Sequence, residues 1–150
     1  MSRITIDLNE AWPIIDEVVA SSGEFRLYPR GTSMMPLIRE GVDSVLLVKA
    51  DDVSENDIVF YKRDNGQFVL HRAVKIKKNT YVMCGDNQFK LEKGVRKDQV
   101  LAKVKGFYRD ELYVDESNAE YVGYMKNLPK RRRKKLFSAI GAKIKRIFKK

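Results

Sequence analysis

The chain has 150 residues, of which 43% are hydrophobic and 33% are charged, a balance typical of one globular domain. Its single cysteine, Cys84, excludes an internal disulfide and a metal site built from cysteines. The formal charge of +10 belongs to the end of the chain: residues 126–150 hold 12 lysines and arginines and no acid, which leaves 18 basic and 20 acidic residues in residues 1–125. We therefore do not expect the folded part of the chain to bind nucleic acid.

Membrane insertion is not predicted from the hydropathy pattern. No apolar run approaches the length of about eighteen residues that a membrane-spanning helix needs. The first residues, Met1-Ser-Arg-Ile-Thr-Ile-Asp, lack the long apolar segment of a signal peptide. These observations predict a cytoplasmic location.

An amphipathic helix is predicted over residues 7–22, within an N-terminal region 1–24. Its apolar side chains recur at spacings of four, three and four residues: Leu8, Trp12, Ile15 and Val19. Asp7 or Asn9 is a suitable cap for its start, and Gly23 suits its end. We interpret the helix as packed on the rest of the domain; a lid or a docking helix for a partner is the alternative.

Short β-rich runs separated by turn residues fill the region 25–114. The candidate strands are residues 25–28, 44–49, 57–63, 67–76, 80–84 and 100–108. Asp64-Asn65-Gly66 lies between two of them and predicts a tight hairpin, because Asn-Gly accommodates positive φ values. Strands joined by tight turns, with helices only at the ends, predict a mainly β fold built as a coiled antiparallel sheet or partial barrel.

The candidate nucleophile, Ser33, lies in the hexapeptide Gly-Thr-Ser-Met-Met-Pro at residues 31–36. A serine hydroxyl is a poor nucleophile until a turn presents it and a neighbouring base removes its proton. Gly31 lets backbone approach a bound carbonyl closely, and Pro36 ends any strand pairing. Taken alone, the hexapeptide is more typical of an ordinary loop in which Ser33 forms a turn.

Two further motifs follow the hexapeptide in order. His71, the only histidine, lies in the predicted strand 67–76, where a period of two places Val69 and Ala73 on its own face. Small and apolar neighbours keep an imidazole neutral and able to accept a proton. Asp86 follows at a glycine turn. A lone histidine in a strand is usually a packed residue, but the order of serine, histidine and acid favours catalysis.

These three motifs resemble the signal peptidase I family. The family pattern is Gly-x-Ser-Met-x-Pro, then a strand entering His-Arg, then Gly-Asp-Asn, and it is matched here by residues 31–36, 71–72 and 85–87. The branch with a histidine base instead of a lysine, as in the endoplasmic-reticulum and spore-former enzymes, is the most similar. The resemblance covers about residues 28–108, and it implies the β fold of signal peptidases and self-cleaving repressors.

The resemblance also implies a role for each site residue. Ser33 attacks the scissile carbonyl, His71 acts as general base, and Asp86 orients His71. The backbone N–H of Ser33 stabilises the oxyanion. The other residues assigned to the oxyanion site or the substrate groove are Gly31, Thr32 and Met34. Lys75, on the same face of the strand as His71, is a less favoured base because it lies roughly 13 Å further along. Neither a cofactor nor a metal is expected.

The C-terminal region, residues 115–150, is predicted to be a linker followed by a basic amphipathic helix. Its apolar stripe is Leu136, Phe137, Ile140, Ile144, Ile147 and Phe148. Lysines and arginines around such a stripe are typical of a helix that lies on an anionic membrane surface. The residues assigned to this contact are Arg131, Arg132, Arg133, Lys134, Lys135, Phe137, Ile140 and Ile144. Nucleic-acid binding and a solvated tail are the alternatives for this segment.

Together these features predict a serine endopeptidase that removes a leader or signal segment from a peptide or preprotein. Signal peptidases are usually anchored by a membrane helix, and no such helix is predicted here. A cytoplasmic relative that processes small ribosomally made peptides at the inner leaflet is therefore one hypothesis. A catalytically inactive module that binds peptides or membranes is the alternative. A self-cleaving repressor fits less well, because no Ala-Gly or Cys-Gly bond precedes Ser33. The oligomeric state is left open.

Overall fold

The computed structural model describes residues 6–148 and confirms the mainly β architecture. Within those residues, an open antiparallel sheet of eight strands is flanked by an N-terminal and a C-terminal helix. The elements are α1 (Leu8–Ser22), β1 (Glu24–Leu27), β2 (Ser44–Val48), β3 (Ile58–Lys62), β4 (Phe68–Ile76), β5 (Thr80–Cys84), β6 (Glu92–Arg96), β7 (Val100–Arg109), β8 (Leu112–Val114) and α2 (Ala119–Phe148). The ends of the predicted regions 1–24 and 115–150, residues 1–5 and 149–150, lie outside the described part.

The predicted N-terminal helix is confirmed with its caps. The Asp7 carboxylate accepts a hydrogen bond from the Asn9 amide at 2.9 Å, and the helix ends at Gly23 in the left-handed region with φ of 92°. Trp12 packs on Phe60 of the sheet, with ring centroids 5.3 Å apart. The helix therefore lies against the sheet, as expected, instead of standing free as a lid.

All six predicted strands occur, each with ends within one residue of the predicted ones. The 64–66 turn closes the β3–β4 hairpin, where the Arg63 amide donates to the Gln67 carbonyl at 2.8 Å and Gly66 has φ of 89°. The sheet order is β1-β2-β7-β3-β4-β5-β6, with β8 paired to the end of β7. The sequence analysis missed β6 and β8. The first is rich in charged residues and buries only Val95, and the second has three residues.

Both faces of the β3–β4 pair are covered. One face joins a cluster of Val59, Tyr61, Val69 and Ala73, and the other joins a cluster that includes Ile58, Phe60 and Leu70. His71 is paired with Val59 and Arg72 with Ile58, so these two neighbours in sequence point to opposite faces. Beyond Ala73 a register shift interrupts the alternation, and Lys75 is exposed to solvent.

Helix α2 runs for 30 residues and begins at Ala119, near the start of the region 115–150, where the sequence analysis predicted a linker. Its first half packs on the sheet: Leu128 is buried, and Tyr121 makes an edge contact with Phe107 at 5.4 Å between ring centroids. Its second half exposes the predicted apolar stripe. In the part of the chain from 6 to 148, no helix combines the length and apolar character required to cross a bilayer.

Candidate active site

The loop that carries Ser33 is held against the Gly85-Asp86-Asn87 turn that follows β5. The Asn87 amide donates to the Ser33 carbonyl at 2.8 Å, and the Asn87 side chain donates to the Thr32 carbonyl at 3.0 Å. A Cβ at position 85 would lie 2.6 Å from the Ser33 carbonyl oxygen, so only glycine permits this approach. The third sequence motif therefore positions the first one.

Ser33 and His71 line the same cavity, which has a volume of about 430 Å³. The three residues assigned to the oxyanion site or substrate groove also line it: Gly31, Thr32 and Met34. Gly31 and Thr32 are exposed, whereas Met34 is largely buried and also packs in the core. A neighbouring cavity of about 510 Å³ also includes His71, and a separate one of about 470 Å³ between β7 and α2 contains neither Ser33 nor His71.

The hydroxyl of Ser33 is not bonded to His71. Among the hydrogen bonds between residues 6–148, none joins the two side chains, and none uses the N–H of Ser33. Catalytic hydrogen bonds are often long in ligand-free enzymes and shorten when substrate binds. A free amide N–H beside the nucleophile is the donor that an oxyanion requires.

His71 is held neutral by its surroundings. Its side chain is buried, with 5% of the residue exposed. Burial, assisted by the positive charge of Arg63, lowers the pKa of His71 from 6.5 to about 4. At neutral pH the imidazole is therefore uncharged and able to accept a proton.

Three side chains that the sequence analysis missed form a hydrogen-bonded chain that ends at Nδ1 of the His71 ring. The Tyr61 hydroxyl lies 3.3 Å from His71 Nδ1 and donates to Glu92 Oε1 at 2.6 Å. Arg63 donates to both oxygens of Glu92, at 2.8 and 3.0 Å. The alternation of β3 does put Tyr61 on the His71 face of the hairpin. Glu92 lies in β6, a strand that was not predicted.

The predicted orienting role of Asp86 is not the arrangement in this structure. Its carboxylate accepts two hydrogen bonds from Arg72, at 2.8 and 2.9 Å, and another from Tyr124 at 2.9 Å. Within residues 6–148, no hydrogen bond joins Asp86 to His71. The reason is the strand period: Arg72 points away from His71, and Asp86 follows Arg72 to that face.

Arg72 is a structural residue in this network. Its side chain is fully buried, and it also donates to the Asn56 carbonyl at 2.6 Å and to the Tyr121 hydroxyl at 2.9 Å. These bonds satisfy its guanidinium and connect the sheet to α2. The ion pair with Arg72 thus holds the turn that contains Asp86 and Asn87. Asn87 in turn holds the Ser33 loop through its hydrogen bonds.

Two of the cations assigned to membrane contact lie at this turn. Arg132, with 17% of its side chain exposed, is 3.5 Å from Asp86 Oδ1 and 3.4 Å from the Cys84 carbonyl. The Lys135 ammonium donates to the Asn87 side chain. The other residues of that set are more open: Arg131 lies over the Tyr124 ring, and the exposed members are Arg133, Lys134, Phe137, Ile140 and Ile144.

Comparison of the chain with protein-family models, curated proteins and solved structures gives no match. What the site can do chemically therefore follows from its own groups. A partly buried serine whose backbone N–H makes no hydrogen bond within residues 6–148 and a neutral imidazole belong to the lining of one cavity.

Proposed function

We propose that this protein is a serine endopeptidase of the signal-peptidase type, in which Ser33 is the nucleophile and His71 the general base. The observation that carries the proposal is the shared cavity of Ser33 and His71, together with the burial that keeps the imidazole neutral. The order of the three sequence motifs supports it, and so does the contact of the Asn87 turn with the Ser33 loop.

The reaction proceeds through an acyl-enzyme. Ser33 Oγ attacks the scissile carbonyl while the imidazole of His71 takes its proton, and the Ser33 N–H stabilises the oxyanion. The imidazolium then gives the proton to the leaving amine. A water molecule, deprotonated by His71, attacks the ester and releases the acid product and the free serine.

A peptide library with small residues before the candidate bond tests this activity. We expect cleavage by the wild type and a loss of at least about 10³-fold in kcat for both Ser33→Ala and His71→Ala, because each removes a member of a unit that acts together. Ser138→Ala is the matched control, since Ser138 is an exposed serine on α2 to which no catalytic role is assigned. A fluorophosphonate probe should label Ser33 in the wild type.

The non-catalytic binding module is the second candidate. The absence of a Ser33–His71 hydrogen bond within the described residues favours it. It is distinguished by binding: if the wild type, Ser33→Ala and His71→Ala are equally inert and hold the same peptides with equal affinity, the cavity binds without cleaving, and the peptidase proposal is wrong.

We also propose a peripheral membrane contact through the second half of α2, on the cytoplasmic face of a membrane. Phe137 is 68% exposed, and Ile140 and Ile144 are about half exposed, beside exposed cations. Each cation near an anionic surface contributes about 1 kcal/mol. Substrates would be leaders or signal segments presented at that surface.

Flotation with liposomes tests this contact. The full chain should float with anionic but not with neutral vesicles at physiological salt, and Phe137→Ser with Ile144→Ser should abolish flotation. Leu112→Ser is the control, because Leu112 is an exposed apolar residue in β8, outside the stripe. Equal flotation of all three proteins would contradict the assignment of the stripe.

A further inference from the structure

We infer that Tyr61 and Glu92 are the positioning residues for His71: they hold its proton on Nδ1 and leave Nε2 free to accept the proton of Ser33. This inference rests on the proposed peptidase function for its consequence in catalysis. It assigns to the β3 and β6 strands the orienting task that the sequence analysis gave to Asp86.

The first step concerns the single hydrogen of the Tyr61 hydroxyl. Tyr61 is buried, and its O–H···O distance to Glu92 is 2.6 Å, the length of a hydrogen bond to an ionised carboxylate. Burial raises the pKa of Tyr61, and the hydrogen bond to Glu92 raises it further, so the hydroxyl stays protonated. The Tyr61 hydroxyl therefore donates its only hydrogen to Glu92.

The second step concerns the ionisation of Glu92. Burial acts to raise the pKa of Glu92, but the hydrogen bonds from Arg63 and Tyr61 outweigh it and hold the pKa below the ordinary value. Arg63 makes these bonds with a geometry that engages both carboxylate oxygens. Glu92 is thus an acceptor at neutral pH and cannot return a hydrogen to Tyr61.

The tautomer of His71 follows from these two steps. Because the Tyr61 hydrogen points to Glu92, the oxygen presents only lone pairs to His71 Nδ1 at 3.3 Å. A neutral imidazole avoids lone-pair repulsion there by carrying its proton on Nδ1 and donating it to Tyr61. Nε2 is then the acceptor, which is the form that a general base for Ser33 needs.

Charges of both signs lie around the His71 ring, and their effects on the imidazolium oppose each other. Those that act on His71 come from Arg63 just after β3, Glu92 of β6 and Asp86 after β5, and Lys135 of α2 lines the neighbouring cavity. Arg63 opposes the imidazolium, whereas Glu92 favours it. The ion pair between Arg63 and Glu92 therefore leaves His71 neutral at rest while a carboxylate stays close to the imidazolium that forms during the reaction.

The test uses the fact that His71 is the only histidine in the chain, so its side-chain nitrogen signals need no assignment. Long-range proton–nitrogen NMR of the full-length wild type should show the Nδ1-protonated tautomer. Tyr61→Phe keeps the ring and removes the hydroxyl, which accepts from His71 and donates to Glu92, and we expect a mixture of tautomers or the Nε2-protonated form. Tyr113→Phe is the matched control, because Tyr113 lies on β8 and is 42% exposed.

Kinetics provide the second readout. Tyr61→Phe should lower kcat by about 10²-fold, the scale of a misplaced catalytic group, with KM unchanged. Circular dichroism and a thermal melt establish that the variant is folded, and Glu92→Gln is a second variant that removes the charge but keeps an acceptor for Tyr61. It should retain the Nδ1 tautomer and still lose part of kcat.

The NMR result does not depend on peptidase activity, so the two proposals fail separately. If the wild type carries the proton on Nε2, or if Tyr61→Phe leaves the tautomer unchanged, the positioning role is wrong, whatever the protein cleaves. If the tautomer behaves as expected and no peptide is cleaved, the positioning role holds and the peptidase proposal falls.

Discussion

His71 and Arg72 are neighbours in β4, both are buried, and their charges differ. Burial lowers the pKa of His71 to about 4, so it is neutral. Burial also disfavours the charge of Arg72, but the hydrogen bonds that Arg72 donates to Asp86 outweigh it and raise the pKa of Arg72 above its ordinary value. Arg72 stays charged because a guanidinium is far more basic than an imidazole, and the carboxylate in direct contact compensates for the burial of that charge.

The two faces of β4 therefore have different roles. The His71 face holds an uncharged imidazole that contacts Tyr61, and Tyr61 in turn donates to Glu92, whose charge is paired with Arg63. The Arg72 face holds a permanent ion pair that connects the sheet, the Asp86 turn and α2. One face is suited to proton transfer, and the other keeps the loop of Ser33 in place.

Breaking the ion pair should have the largest effect on stability. Asp86→Ala leaves Arg72 charged, buried and without its carboxylate, which typically costs 3–5 kcal/mol of unfolding free energy; we expect about that loss. Urea unfolding followed by the fluorescence of Trp12, the only tryptophan, measures it. Asp64→Ala is the control: its partner Arg96 is exposed, and the expected loss is below about 1 kcal/mol. Similar losses in both variants would contradict the structural role of the buried pair.

The pH dependence of stability tests the other face. Because the folded pKa of His71 is about 4 and the unfolded value 6.5, the unfolded state binds more protons between these values. Above about pH 6.5 His71 is neutral in both states, so it contributes no pH dependence to the unfolding free energy. The unfolding free energy falls as the pH drops through this window, by a total on the order of 3 kcal/mol.

His71→Gln isolates this contribution, since glutamine does not titrate and the carboxylates titrate in both proteins. Subtracting the two stability profiles should give a curve that is flat above about pH 6.5, declines towards pH 4 and levels below it. In the wild type, kcat/KM should rise with pH around the same folded pKa and then reach a plateau. A difference curve that is flat throughout would show that His71 is not held neutral by burial.

Sequence patterns were sufficient for most of the sheet. The hairpin at 64–66, the alternation of β4 as far as Ala73 and the caps of α1 are local signals, and each occurs in the structure. β6 was not predictable in this way, because four of its five residues stay accessible and its pairing with β5 supplies the strand geometry. Contacts between distant segments, not local propensity, define such an edge strand.

The sequence indicated which motifs come together at the candidate site, but not the hydrogen bonds between their side chains. Ser33, His71 and the Asn87 turn do meet around one cavity, as the order of the motifs indicated. The partner of Asp86 depends on which face the turn after β5 approaches, and motif order contains no such information. Glu92 reaches His71 only through the unpredicted β6, so no spacing in the sequence marks it.

A smaller effect distinguishes the two sides of α2. Arg132 and Lys134 are two residues apart, roughly 200° around the helix, so they point in nearly opposite directions. Arg132 approaches Asp86 at 3.5 Å, whereas Lys134 is exposed. We expect Arg132→Gln to lower the unfolding free energy by about 1 kcal/mol, the usual net contribution of a weak polar contact, and Lys134→Gln to change it by less than about 0.5 kcal/mol.

For binding to anionic vesicles we expect the opposite ranking, with the larger effect from Lys134→Gln. Lys134→Gln removes a cation that is free to face the lipid surface, so its affinity should fall about fivefold, the equivalent of about 1 kcal/mol. Arg132→Gln should change affinity less, because Asp86 already occupies that guanidinium. Vesicle sedimentation at two salt concentrations measures both, since screening weakens a surface attraction and leaves the buried contact nearly unaffected. Equal losses for both variants would mean that Arg132 leaves Asp86 when α2 meets a membrane, and the Ser33 loop would then be coupled to the lipid surface.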